Sequence, residues 1–143
     1  MMTLPSTKCL LDSNCLIYGV VENSPFQKQA REFLNEVRAK NQILYISPQT
    51  LLEYSSVLIS YYKFPREKIV QDLKDISSDQ FYSVVYPSET TILEYMNLLD
   101  NYLVHPTDLF FAATAISNGI DTIITADSDF GRIKGIKVLN PFK

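Results

Sequence analysis

The stretch Thr107 to Phe130, TDLFFAATAISNGIDTIITADSDF, constrains this chain more than any other. Leu109 to Ile116 is apolar almost all round, so a helix there must be covered on most sides. Thr107 is expected to cap that helix and Asp108 to open it, with Asn118-Gly119 as a left-handed stop. Thr122-Ile-Ile-Thr-Ala126 then reads as a buried, β-branched strand that ends on Asp127. An acid at a helix start is thus tied to an acid at a strand end. Neither has a cationic neighbour in sequence. Such acids are capping devices or metal ligands, and the rest of the chain has to decide which.

The same alternation runs through the whole sequence. Lys8 to Leu11 reads as a strand ending at Asp12, followed by a helical turn from Asn14 to Val21. Ser24-Pro25 is a cap and first-turn proline for a helix with Phe26, Ala30, Phe33, Leu34 and Val37 on one face. A second strand spans Ile43 to Ile46. Helices follow at about Gln49 to Tyr62 and at Arg66 to Ile76, separated by Phe64-Pro65. Phe81 to Tyr86 is the third strand. Ser88 is expected to cap a helix in which Ile92, Leu93, Tyr95, Met96 and Leu99 are mostly buried. A last strand lies near Ile136 to Leu139. Short apolar strands alternating with helices indicate an α/β fold with a mainly parallel sheet. In such sheets ligands sit beyond the carboxyl ends of the strands, where the strand order reverses.

The 143 residues, 46% of them hydrophobic, suit one soluble domain covering residues 1–143. No apolar run approaches the ~18 residues of a membrane span. The N-terminal sequence carries no apolar export signal, so a cytoplasmic protein with reduced Cys9 and Cys15 is expected. The cysteines and the single histidine, His105, do not make a zinc set. A net charge of −3 argues against simple electrostatic capture of nucleic acid.

Four acids remain to be explained. Asp12 and Asp127 each stand where an Asx-turn or helix cap is an ordinary alternative, as does Asp129. Asp108 is favoured by the helix dipole alone. Glu53 resists such readings. Gln49, Thr50, Ser56 and Val57 stand three and four residues away, so no local cation pairs with it. Clustered carboxylates without thiolate or imidazole suit a hard cation such as Mg²⁺ or Mn²⁺. A metal also lets an acidic pocket accept an anionic substrate.

These segments resemble the PIN-domain nucleases. LLDSNCLIY resembles their opening motif, SPQTLLEYSSVL their glutamate helix, and TDLFFAATAISNGIDTIITADSDF their last two acids. Leu109 departs from the small residue common after the third acid. The resemblance implies a three-layer α/β/α sandwich with a five-stranded parallel sheet of order 3-2-1-4-5. It also implies Mg²⁺- or Mn²⁺-dependent cleavage of RNA by a metal-activated water. By motif, Asp12, Glu53, Asp108 and Asp127 would be catalytic and metal-binding, with Asn14, Thr125, Ser128 and Asp129 in support. The chain looks most like the VapC-type toxins of toxin–antitoxin pairs, which implies a cognate antitoxin and a homodimer. The aromatic supply between Gln49 and Ile76 adds weak support for the dimer.

Three rival readings stand beside this one. A PIN-like fold kept only for RNA or protein binding would need no intact site, yet all four acids are present. A response-regulator receiver would need an aspartate after the third strand, where this chain has Tyr86-Pro87. A phosphatase of the haloacid dehalogenase type would need Asp-x-Asp where Asp12-Ser13-Asn14 stands. Lys63, Arg66 and Lys68 among Tyr61, Tyr62 and Phe64 are better read as a solvated helix junction than as an RNA patch. Arg132, Lys134 and Lys137 are read as ordinary surface, and His105 as a loop residue.

Overall fold

Five short runs of apolar and β-branched residues pair into one parallel sheet in the computed structural model, which describes residues 8–143. The N-terminal residues 1–7, over which no export signal is expected, lie outside the described residues. The strands are β1 (Cys9–Leu11), β2 (Leu44–Ile46), β3 (Tyr82–Val84), β4 (Thr122–Ile124) and β5 (Lys137–Leu139). Their order is β3-β2-β1-β4-β5, as expected. Leu10 pairs with Tyr45 on one side and with Ile123 on the other. Strand order therefore reverses around β1, and the crevice between β1 and β4 is where a parallel sheet opens to a ligand.

Each strand alternates its side chains between two cores. Cys9, Leu11, Leu44, Ile46 and Ile124 face a layer made by α1 (Ser13–Val20), α2 (Gln27–Ala39), α3 (Pro48–Ser60) and α4 (Arg66–Ser78). Leu10 and Ile123 face the opposite layer, made by α5 (Glu89–Asn101) and α6 (Pro106–Ser117). These layers and the sheet give the α/β/α sandwich. α6 buries Leu109, Phe111, Ala112, Ala113, Thr114 and Ala115, as its all-round apolar sequence requires. Gly119, at φ +72°, supplies the left-handed stop.

Three local expectations are corrected. The cap of α6 is His105, whose Nδ1 accepts from the Thr107 backbone, and Pro106 opens the helix. Pro106 fits a first helical position because its missing N–H has no partner to lose there. Thr107 and Asp108 therefore sit inside the first turn. Ser24 does not cap a helix beginning at Pro25; its Oγ accepts from Phe26 N in a preceding turn, and α2 starts at Gln27. The third correction concerns α5. Ile92, Leu93, Met96 and Leu99 expose 54, 64, 52 and 43% of their surface, and Leu103 just beyond the helix exposes 93%. α5 buries only Thr91 and Leu98, because it packs mainly on α6. Among the described residues, no helix is long and apolar enough to cross a membrane.

Candidate active site

Asp12 continues the ladder beyond β1, its backbone N donating to Ile124 O at 2.9 Å. Its side chain then caps α1, with Oδ1 accepting from Ser13 N at 2.8 Å. Oδ2 accepts from the Thr125 hydroxyl at 2.8 Å and from Asn14 Nδ2 at 3.3 Å. The Thr125 oxygen in turn accepts from Asn14 Nδ2 at 3.2 Å and from Asp127 N at 3.0 Å. Asn14 Oδ1 closes the network, accepting from Ala126 N at 3.4 Å and from the Cys15 thiol at 3.3 Å. One hydrogen-bonded cluster thus stitches the end of β1 to the end of β4 and fixes the Asp12 carboxylate between them.

Glu53 arrives from α3. Ser47 caps that helix in a reciprocal box with Thr50, and Pro48 takes its first position. Thr50 is fully buried and donates to Leu11 O at 3.1 Å, which anchors the helix to the end of β1. Glu53, one turn further, is half-buried. Asp108 sits in the first turn of α6. Asp127 begins the short 3₁₀ turn Ser128–Arg132, with Oδ1 accepting from Asp129 N at 2.9 Å. It is therefore a turn former as well as a member of the crevice. Ser128 and Asp129 are exposed at its rim.

The electrostatics show that these acids share one space. Burial raises the Asp12 carboxyl above its ordinary pKa, opposed by the bonds from Thr125 and Ser13 and reinforced by Asp127. Burial also raises Glu53, and Asp12 and Asp108 add to the effect. Asp108 is raised by burial, then by Asp127 and Asp12, with His105 opposing and Asp129 contributing. The four acids singled out in the sequence thus come from four separate elements to lie near enough to perturb one another's charge. Among the described residues no salt bridge engages any of them. Nor do three His, Cys, Asp or Glu side chains there form a ready-made metal cage. Carboxylates that offer oxygen donors and make no salt bridge among the described residues suit a hard divalent cation by their chemistry. A separate cavity of about 280 Å³ between α1, α2, α3 and α4 contains none of the four acids.

Sequence reasoning left Gln49 without a role and noted Thr50 only as a small polar neighbour. The available signal for Thr50 was its place in the capping box after Ser47. Gln49 gave none, because its partner is the carbonyl of Thr107, 58 residues away. The basic residues behave as ordinary surface: Lys68 pairs with Asp72, and Lys137 with Asp121.

Comparisons with known proteins agree with this architecture. VapBC-1 from nontypeable Haemophilus influenzae superposes with a TM-score of 0.72 at 22% identity, covering 96% of this chain and 100% of that one. VapBC2 from Rickettsia felis, solved with a promoter DNA fragment, gives 0.71 at 21% identity, covering 94% and 98%. The sarcin–ricin loop cleaving toxin VapC20 of Mycobacterium tuberculosis gives 0.69 at 13% identity, covering 87% and 94%. These likenesses establish the fold. No curated protein gives a significant sequence match. The family model described as the PIN domain matches residues 9–136, nearly the whole chain, and so the chain belongs to the PIN domain family.

Proposed function

We propose that this protein is a metal-dependent endoribonuclease and the toxin of a toxin–antitoxin pair. The observation that carries the reading is the convergence of Asp12, Glu53, Asp108 and Asp127 without a compensating cation. Those four carboxylates would hold Mg²⁺ or Mn²⁺. When bound, the metal supplies charge neutralisation at a phosphodiester and a lowered pKa for water. The chain's own residues do the rest. Thr125 and Asn14 hold the Asp12 carboxylate so that it needs no rearrangement on binding. The Ser128–Asp129 backbone keeps Asp127 in its turn.

The partners follow the same reading. Relatives of this fold were solved as VapBC assemblies, which supports a cognate antitoxin. Ile92, Leu93, Met96 and Leu99 leave α5 with exposed apolar side chains, which supports a homodimer through α5. The Gln49–Ile76 region favoured by the sequence buries Tyr54 but exposes Leu52, Tyr61 and Val70, at 64, 76 and 51%, and is the second candidate face. The family match removes the receiver reading. A silent RNA- or protein-binding module is the remaining competitor.

An assay on inhibitor-free protein separates the two. With fresh Mn²⁺ or Mg²⁺, host RNA is cut, and Asp108→Asn lowers the rate by roughly 100-fold or more. Intact RNA under the same conditions would leave only the binding module.

A further inference from the structure

Asp12 and Asp127 are fixed to one another by the Thr125 cluster, whereas Glu53 and Asp108 stand on helices that barely touch. A groove of about 490 Å³ separates the start of α3 from the start of α6, lined by Pro48, Gln49, Leu52, Pro87, Thr107 and Phe110. Gln49 crosses it. Its Nε2 donates at 3.0 Å to Thr107 O, in the peptide that leads into Asp108. Among the described residues no other side-chain hydrogen bond joins α3 to α6. A carbonyl only accepts, so this bond fixes the amide with its nitrogen toward Thr107.

Gln49 also precedes Glu53 by four residues, which places both side chains on one face of α3. The Gln49 amide nitrogen makes the single bond to Thr107 O. Its Oε1, by contrast, is buried with no partner. An unpaired buried oxygen is a cost that an apolar side chain of the same size would avoid. The contribution of the position therefore lies in its donor bond to Thr107 O.

We infer that Gln49 is a positioning residue: its amide bridges the α3–α6 groove and ties the helix that carries Glu53 to the turn that carries Asp108, setting how the two acids approach a divalent cation. This rests on the metal-dependent reading above. The four acids would touch the metal, and Gln49 would act only through two of them.

The test uses Gln49→Met, which keeps the volume without the amide, and Gln49→Asn, which keeps the amide without the reach. Mn²⁺ affinity is measured by calorimetry and by the rise in melting temperature on adding Mn²⁺, and RNA cleavage is followed against Mn²⁺ concentration. Both variants should melt near wild type in chelator and bind Mn²⁺ about tenfold more weakly. Cleavage should recover toward the wild-type rate at saturating Mn²⁺. Wild-type Mn²⁺ affinity in both variants would overturn the inference, whether or not their metal-free melting falls. A wild-type protein that binds no Mn²⁺ would overturn the metal reading itself, and the inference with it.

Discussion

At Thr125 a single hydroxyl serves three partners. It donates to Asp12 and accepts from Asn14 and from the Asp127 backbone. The side chain is fully buried, so water cannot replace a lost partner. Thr125→Val keeps the shape and the β-branch but leaves Asp12 Oδ2 with Asn14 as its one donor and takes the acceptor from the Asp127 backbone N–H. Urea unfolding should show a loss of about 1–3 kcal/mol, and cleavage should fall with it. Thr125→Ser restores the hydroxyl and should recover most of both. Equal stability of the valine variant would show that the cluster does not hold Asp12. The same wiring explains why Asp12→Asn is a poor probe of charge. An amide nitrogen in place of Oδ2 would face the Thr125 hydroxyl, whose acceptor positions are already taken by Asn14 and Asp127.

Among the elements, α5 carries the sharpest consequence. Its apolar residues at 92, 96 and 99 fall on one exposed stripe, while Thr91 and Leu98 face inward. A charge placed on that stripe touches no core. Met96→Glu should therefore leave monomer stability within about 0.5 kcal/mol and convert a dimer to a monomer in light scattering at micromolar concentration. An unchanged dimer would place the interface elsewhere. The stripe also marks where the sequence misleads. Apolar residues at helical spacing indicate a covered face without saying whether the cover is the same chain. The sheet order came with the PIN-domain resemblance, as did the joint role of the four acids; the residues alone left Asp12, Asp108 and Asp127 open to capping, and only Glu53, on a cation-free helix, resisted that reading. The long-range roles of Thr50 and Gln49 were not readable, since their partners, Leu11 O and Thr107 O, come into reach only when the chain folds; the capping box after Ser47 marked Thr50 for a local role alone. His105 as the cap of α6 was missed because a threonine two residues on offered the commoner capping side chain.

For the molecule as a whole, the crevice is a concentration of charge that folding makes worse. Asp12, Glu53 and Asp108 all have pKa values raised on folding. A carboxyl with a raised folded pKa holds its proton more tightly in the native state. Its effect on stability is therefore least unfavourable at low pH and grows more unfavourable as pH rises from about 4 through the folded value. Asp79, lowered by its bond with Arg38, acts in the opposite sense, but its window lies below its ordinary value. In chelator, the melting advantage of Asp108→Asn over wild type should widen as pH rises from about 4 to about 7. An advantage that does not change with pH would mean that Asp108 is isolated from the other acids.

The central claim, that the four acids form one metal site, is tested most directly by thermal melting of wild type and Asp127→Asn, each in chelator and in excess Mn²⁺. Asparagine keeps an acceptor for Asp129 N, so the turn survives the change. In chelator the variant should be more stable by roughly 1 kcal/mol, a few degrees in melting temperature, because one like charge has left the crevice. Mn²⁺ should raise the wild-type melting temperature by mass action and raise that of the variant much less. A wild type whose melting ignores Mn²⁺, together with a variant that is destabilised in chelator, would show that Asp127 is a turn former alone and would contradict the account.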